Sequence, residues 1–267
     1  MRRRLDVELV RRGLVPSRTR AAEAIDAGRV LVGGAPASTP ARQVDGGEAI
    51  AVLAEEGTRY ASRGGHKLAA GLDAFAIDVR DRRAVDVGAS TGGFTDCLLQ
   101  RGAAHVYAIE VGRSQIAWSL RQDARVTVME RVNVREVEPG ALDPAPSLCV
   151  VDLSFVSLAS VAPHLLALTT EEAEFVLLVK PQYEAGRARV DHRGIVRDRA
   201  VHAAVLREVV AGLDAAGLGV GAVVPSPLRG ADGNVEFLAY ARRGCATVSP
   251  AVLDDAVERA HRAEDAR

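Results

Sequence analysis

Apolar positions recur with two periods along this chain, and the change from one to the other divides it. Leu5, Leu9 and Val10 share a helical face that stops at Gly13, which predicts a short helix from Arg4 to Arg12. Ser17 is placed to cap a second helix, Arg18 to Ala27, that turns Ala21, Ala24 and Ile25 inward and ends at Gly28. Residues 29–32 then read as a strand running into the Gly33-Gly34 turn, and residues 48–53 as a closing strand. A polar, glycine-bearing stretch at 54–65 follows. Beyond it Leu68, Leu72 and Phe75 start a helix, and strands alternate with helices. The predicted strands end at Ala84-Val85-Asp86 and cover 105–111, 125–129, 148–153, 175–181, 219–224 and 235–240; the helices cover 114–121, 157–168, 200–216 and 250–265. The fold class is therefore α/β, a Rossmann-like, mostly parallel sheet of seven strands preceded by a small α+β domain. We assign 1–55 to the small domain, 56–67 to a loosely coupling linker and 68–267 to the sheet domain.

Composition narrows the class. Of 267 residues 48% are hydrophobic and 26% charged, the balance of a globular chain. A net charge of −1 hides two basic segments: residues 1–30 carry eight arginines against four acids, and 187–199 five against two. Each is either a solvated face or a phosphate-contacting patch. Cys97, Cys149 and Cys245 have no metal-ligand spacing, so no metal is expected, and they read as reduced thiols of a cytoplasmic protein. No signal peptide is read, and the most apolar window, 153–168, is broken by serines, Pro163 and His164, so no membrane span is expected. Of 34 basic residues only Lys67 and Lys180 are lysine. A chain that otherwise uses arginine for charge keeps lysine where an amine must exchange a proton, which a guanidinium does not do.

The candidate chemistry lies at predicted strand ends. Asp86-Val-Gly-Ala-Ser-Thr-Gly-Gly-Phe94 is a strand-to-helix turn whose glycines at 88, 92 and 93 admit a ligand close to the backbone. It lacks one glycine of the dinucleotide fingerprint, since position 90 is serine, which argues against a nicotinamide-linked reductase. About 20 residues on, Glu110 closes the next strand where a ribose diol would be held. Asp86, Gly88 and Glu110 together fit S-adenosylmethionine, with Ser90, Gly92, Gly93 and Phe94 completing the turn; a glycine-rich turn with no ligand is the competing reading. Asp152 and Lys180 close two further strands, Glu236 opens the last, and Lys67 precedes the first helix of the domain. If the last strand is antiparallel, all four reach one cleft. Singly, each is as readily a surface ion pair.

Two resemblances sharpen this reading. Residues 4–34 resemble the alpha-L RNA-binding domain found in a ribosomal small-subunit protein and in pseudouridine synthases, which implies RNA contacts by Arg11, Arg12, Arg18, Arg20 and Arg29. Arg4 and Arg63 extend that basic set. The Lys67–Asp152–Lys180–Glu236 tetrad is similar to that of the FtsJ-like ribose methyltransferases. The motifs YASRGGHKL at 60–68, DVGASTGGFTDCLL at 86–99, DLSFVSL at 152–158, LVKPQYEAG at 178–186 and SPLRGADGNVEFL at 226–238 resemble the TlyA family, historically called hemolysins. Tyr183 stands where that family often has phenylalanine, and Arg187 where it often has lysine. The resemblance implies methylation of cytidine 2′-hydroxyls in ribosomal RNA of both subunits, S-adenosylmethionine as donor and Asp152 also near the donor. The expected partner is RNA in ribosomal subunits, without DNA or membrane, for a chain monomeric in solution. Lys180 is then the expected proton acceptor, Lys67 a cation beside it favouring its neutral form, Asp152 its orienting partner and Glu236 the partner of Lys67, while the sequence leaves open which of the two lysines is neutral. A non-catalytic RNA assembly factor remains the alternative from another class.

Overall fold

The computed structural model describes residues 2–15, 17–26, 28–52, 59–230 and 233–265. The first body contains β1 (Arg3–Arg4), α1 (Leu5–Arg11), α2 (Arg18–Asp26), β2 (Val30–Val32), β3 (Ala35–Pro36), β4 (Gln43–Val44) and β5 (Ile50–Val52). Leu5 and Leu9 sit one turn apart on α1 and pack against Ala21, Ala24 and Ile25 of α2, and Val30, Val32 and Val44 complete this core. Ser17 Oγ accepts the Arg20 N–H at 3.2 Å, the cap expected from its position. β3, β2 and β5 form an antiparallel sheet in that order, and β1 pairs with β4. The sequence pattern does not reveal β1, β3 and β4, because strands of two residues carry no period.

The second body contains α3 (Gly64–Ala74), β6 (Arg83–Val87), α4 (Gly93–Gln100), β7 (His105–Glu110), α5 (Trp118–Arg121), β8 (Val126–Glu130) and β9 (Leu148–Val151). It continues with α6 (Leu158–Ala167), β10 (Glu174–Val179), α7 (Pro181–Glu184), α8 (Arg199–Ala215), β11 (Gly219–Pro225), β12 (Phe237–Arg242) and α9 (Pro250–Asp265). The strands form one seven-stranded sheet in the order β11-β12-β10-β9-β6-β7-β8, with β12 antiparallel to both neighbours. Strands such as Leu148-Cys-Val-Val151 are apolar on successive residues because both faces of the sheet are covered. Leu68, Leu72 and Leu98 of α3 and α4 cover one face against Val150, Val176 and Leu238. Leu165, Leu206, Leu213 and Val257 of α6, α8 and α9 cover the other against Val151, Phe175 and Phe237. The carboxyl ends of the parallel strands and the start of β12 therefore meet on one edge.

Two local departures from the sequence reading have physical causes. The helix expected from 114 is reduced to Trp118–Arg121, because Ser114 adopts φ +55 and Ala117 is extended (ψ 141). Residues 56–58 of the assigned linker lie outside the described residues. From Arg59 the chain is already tied to α4: the Ala61 N–H donates to Asp96 Oδ2 at 2.6 Å, Gln100 Nε2 donates to the Arg59 carbonyl at 2.8 Å, and Gly64 to Lys67 form the first turn of α3.

Candidate active site

The strand order places the four expected residues side by side. β9, β10 and β12 are neighbours, and Val179 pairs with Phe237, so Lys180 leaves its strand opposite Glu236 while Asp152 leaves the strand beyond. Lys67, buried in the first turn of α3, donates from Nζ to Glu236 Oε2. Glu236 is buried, and burial pushes its carboxyl above the usual range against the pull of Lys67 and of Lys180, with Asp152 adding to the rise. One carboxyl thus feels all three other members. Lys180 Nζ lies 2.6 Å from Asp152 Oδ1 and donates to Ser154 Oγ at 3.1 Å. The first contact is an ion pair without hydrogen-bond alignment, so Oδ1 accepts no hydrogen bond. The tetrad is two lysine–carboxylate pairs at one strand edge.

The glycine-bearing turn lies beside it. Gly88 adopts φ +88, and a Cβ there would lie 2.4 Å from the Asp152 carbonyl oxygen, so only glycine lets the turn approach the tetrad this closely. Gly92 adopts φ +94 just before α4, and Gly93 is buried at its first position. Glu110 Oε2 accepts the Ser90 N–H at 2.8 Å and Oε1 accepts the Gly112 N–H at 2.7 Å. The carboxylate is fixed and each oxygen keeps a second lone pair. Two residues of the expected set are buried. Asp86 is fully buried beneath the turn; it accepts the Thr95 hydroxyl at Oδ2 (2.7 Å), leaves Oδ1 without a partner, and burial pushes it up to about 7. Phe94 is buried in the core, with its ring edge against Gly64. Both shape the turn from behind, since the alternation that aims them inward is a property of the finished strand and helix.

The arginines of the first body are not a row of free cations. Asp6 and Glu8, both buried, gather them: Arg4 (3.1 Å) and Arg18 (2.7 Å) contact Asp6, and Arg11 (2.5 Å) and Arg12 (2.8 Å) contact Glu8. Hydrogen bonds from these guanidiniums hold both carboxyls down at about 2. Arg12 differs from the other arginines of the expected RNA-contacting set. Its side chain is only 20% exposed and donates to the carbonyls of Asp45, Gly46 and Glu48, so it closes the body internally. Arg18 stays 62% exposed, and Arg11 and Arg20 are likewise open to solvent. Arg29 is half-buried just before β2. Arg63 is exposed and donates to the Arg229 carbonyl in the second body at 3.4 Å.

Sequence reasoning does not single out Ser154, Phe155 or Asn234. Phe155 is 85% exposed at φ +63, with its ring 4.5 Å from that of Tyr183. Lys180 Nζ lies 5.8 Å from the same Tyr183 ring. Their sequence signal is their place in the motifs at 152–158 and 226–238, beside Asp152 and Glu236.

A mostly parallel seven-stranded sheet with one antiparallel strand, a glycine-bearing turn after its first strand and this strand-edge tetrad together define a methyltransferase. The chain belongs to the FtsJ-like methyltransferase family, whose model matches residues 60–243, and residues 3–50 match the S4 domain. It is 47% identical over 260 residues to the 16S/23S rRNA (cytidine-2′-O)-methyltransferase TlyA of Mycobacterium tuberculosis, covering 97% of each chain. It is 37% identical over 238 residues to Hemolysin A of Brachyspira hyodysenteriae, covering 89% of this chain and 98% of that one. A solved structure of a hemolysin-named protein from Streptococcus thermophilus matches with a TM-score of 0.77 at 38% identity, covering 99% and 98% of the two chains. Among the described residues no helix is long and apolar enough to cross a membrane.

Proposed function

We propose that this enzyme methylates the 2′-hydroxyl of cytidine in ribosomal RNA of both ribosomal subunits, with S-adenosylmethionine as donor. The observation that carries the reading is the tetrad: both lysines of the chain lie at one strand edge, each held by its own carboxylate. The donor set fits the cofactor. Glu110 is fixed with acceptor capacity left for a ribose diol, and the Gly88–Gly92 turn lies against Asp152. When bound, the cofactor supplies an electrophilic methyl group.

The protein's own part concerns the hydroxyl, a poor nucleophile until its proton leaves. Once its own ammonium proton has passed to solvent, Lys180 as the neutral amine takes that proton at Nζ, which Asp152 and Ser154 flank. Lys67 fixes Glu236 through Oε2, so that this pair walls the side of the ribose away from Asp152. Phe155 offers a face for the base: an aromatic residue at positive φ carries about 1–3 kcal/mol of strain and persists where its position is used, and splayed RNA bases stack on such rings. Holding these groups in place supplies much of the rate. Residues 1–55 act as the RNA-binding domain; the catalytic domain, expected at 68–267, begins earlier, because Lys67 in the first turn of α3 belongs to the tetrad.

The test is methyl transfer from labelled S-adenosylmethionine to unmodified ribosomal RNA and subunits, followed by alkaline hydrolysis, which a 2′-O-methyl blocks. Label in alkali-resistant cytidines is the expected result. Tight cofactor binding with no transfer to any RNA or subunit would overturn the reading in favour of a non-catalytic assembly factor or another acceptor.

A further inference from the structure

The segment joining β11 to β12 carries Glu236, and contacts on two sides set its course. On the inner side the Gly230 N–H donates to the Asn234 carbonyl at 3.0 Å and the Ser226 N–H to the Glu236 carbonyl at 2.9 Å. Gly230 lies so close under the tetrad that a Cβ there would be 2.6 Å from Glu236 Oε1. On the outer side Asn234, 2% exposed, reaches a different loop: its Oδ1 accepts the Val196 N–H and its Nδ2 donates to the Gly194 carbonyl, both at 3.0 Å. A buried amide that uses its donor and its acceptor on one partner loop fixes both distance and orientation. That loop is itself preformed. Asp191 Oδ1 accepts the N–H groups of Arg193 (2.8 Å) and Ile195 (2.9 Å), and Gly194 turns at φ +78. It presents Arg193 and His192 to solvent, with Arg187 exposed shortly before it.

We infer that Asn234 is a positioning residue that holds Glu236 and the loop 191–197 at a fixed separation, so that Arg193 takes a backbone phosphate of RNA flanking the nucleotide whose ribose lies at the tetrad. The inference rests on the proposed RNA substrate. Phosphate contacts set register and carry no base identity, which suits cations that stand beside the reacting centre and do not enter it. A purely structural Asn234 would lower stability when removed and leave the folded enzyme's rate and salt response alone. A positioning Asn234 links the two.

The experiment compares Asn234→Ala, Arg193→Ala, the double variant and Asn234→Asp with the wild type in three readings: cofactor Kd, single-turnover methyl transfer at saturating RNA, and the slope of log affinity for RNA against log salt. Cofactor Kd is expected within about twofold in all, since no contact to the turn is touched. Asn234→Ala should slow transfer roughly ten- to hundredfold. It should also reduce the salt slope by about one, as Arg193→Ala does, with no further loss in the double variant. Asn234→Asp keeps the acceptor for Val196 but turns a second acceptor oxygen on the Gly194 carbonyl, so its loss should at least match that of Asn234→Ala; should both fail to fold, Arg193→Ala carries the test, and a wild-type slope in it overturns the inference. Wild-type rate and slope in a folded variant, or slope losses that add in the double variant, overturn the inference alone. Wild-type protein that transfers nothing to RNA overturns both the inference and the reading beneath it.

Discussion

Lys180 and Lys67 each face a carboxylate, but the two pairs differ in what they leave free. Lys67 and Glu236 are hydrogen-bonded and buried, whereas Lys180 meets Asp152 without hydrogen-bond alignment and shares its ammonium with the exposed Ser154. The second amine is the one able to turn toward an incoming hydroxyl. Arginine at position 180 would keep the charge and remove the exchangeable amine. Lys180→Arg is therefore expected to lower single-turnover methyl transfer by about 10²–10⁴-fold, with cofactor Kd unchanged by titration. Near-wild-type transfer would remove Lys180 as proton acceptor. The tetrad is legible in the sequence because residue type and strand-end position suffice to mark it. Phe155 is not: its significance lies in a positive φ and in exposure, and neither leaves a trace in residue type.

At the scale of elements, the β6–α4 turn shows how a strand is locked to the helix after it. Asp86 at the end of β6 accepts the hydroxyl of Thr95 in α4 while fully buried, and burial pushes its carboxyl up to about 7. A carboxyl raised in the folded state binds its proton more tightly there than in the unfolded chain. Its contribution to stability is complete below the unfolded value near 4 and is lost as pH rises through 7, each tenfold difference in proton affinity being worth about 1.4 kcal/mol. Urea unfolding at pH 5, 7 and 8.5 should show the wild type losing stability relative to Asp86→Asn as pH rises. A constant difference between the two would mean that Asp86 is ionised throughout. The turn itself is legible from its glycines and flanking apolar residues. That Asp86 and Phe94 serve it from behind is not, because the apolar run around Asp86 does not say which face a polar residue inside it will occupy. The helix expected from 114 falls short for a related reason: its apolar spacing is right, but the positive φ of Ser114 is a backbone property.

Across the whole molecule, the tetrad lies in the second body and the S4 domain match in the first, whose buried acids sort its arginines. Each buried acid there serves more than one guanidinium: Asp6 holds Arg4 and Arg18, and Glu8 holds Arg11 and Arg12. The acids order the cations, and arginine still outnumbers them, so the face stays positive. Composition makes the excess visible; the sorting of arginines into closing and outward-facing ones appears only once Arg12 is seen on three backbone carbonyls. Removing Arg11 and Arg18 together leaves Asp6 with Arg4 and Glu8 with Arg12 and Arg3. The double variant Arg11→Ala, Arg18→Ala should weaken RNA binding and lower the salt slope by about two, with a lowered unfolding midpoint because buried Asp6 and Glu8 each lose a guanidinium. Transfer at saturating RNA should be unchanged, because neither residue belongs to the tetrad body. Arg12→Ala should lower the midpoint of the first body further, since the hydrogen bonds to Asp45, Gly46 and Glu48 and the ion pair to buried Glu8 are lost together. If both variants lost only stability, the first body's arginines would be structural, and the RNA affinity would have to come from the loop beside Asn234.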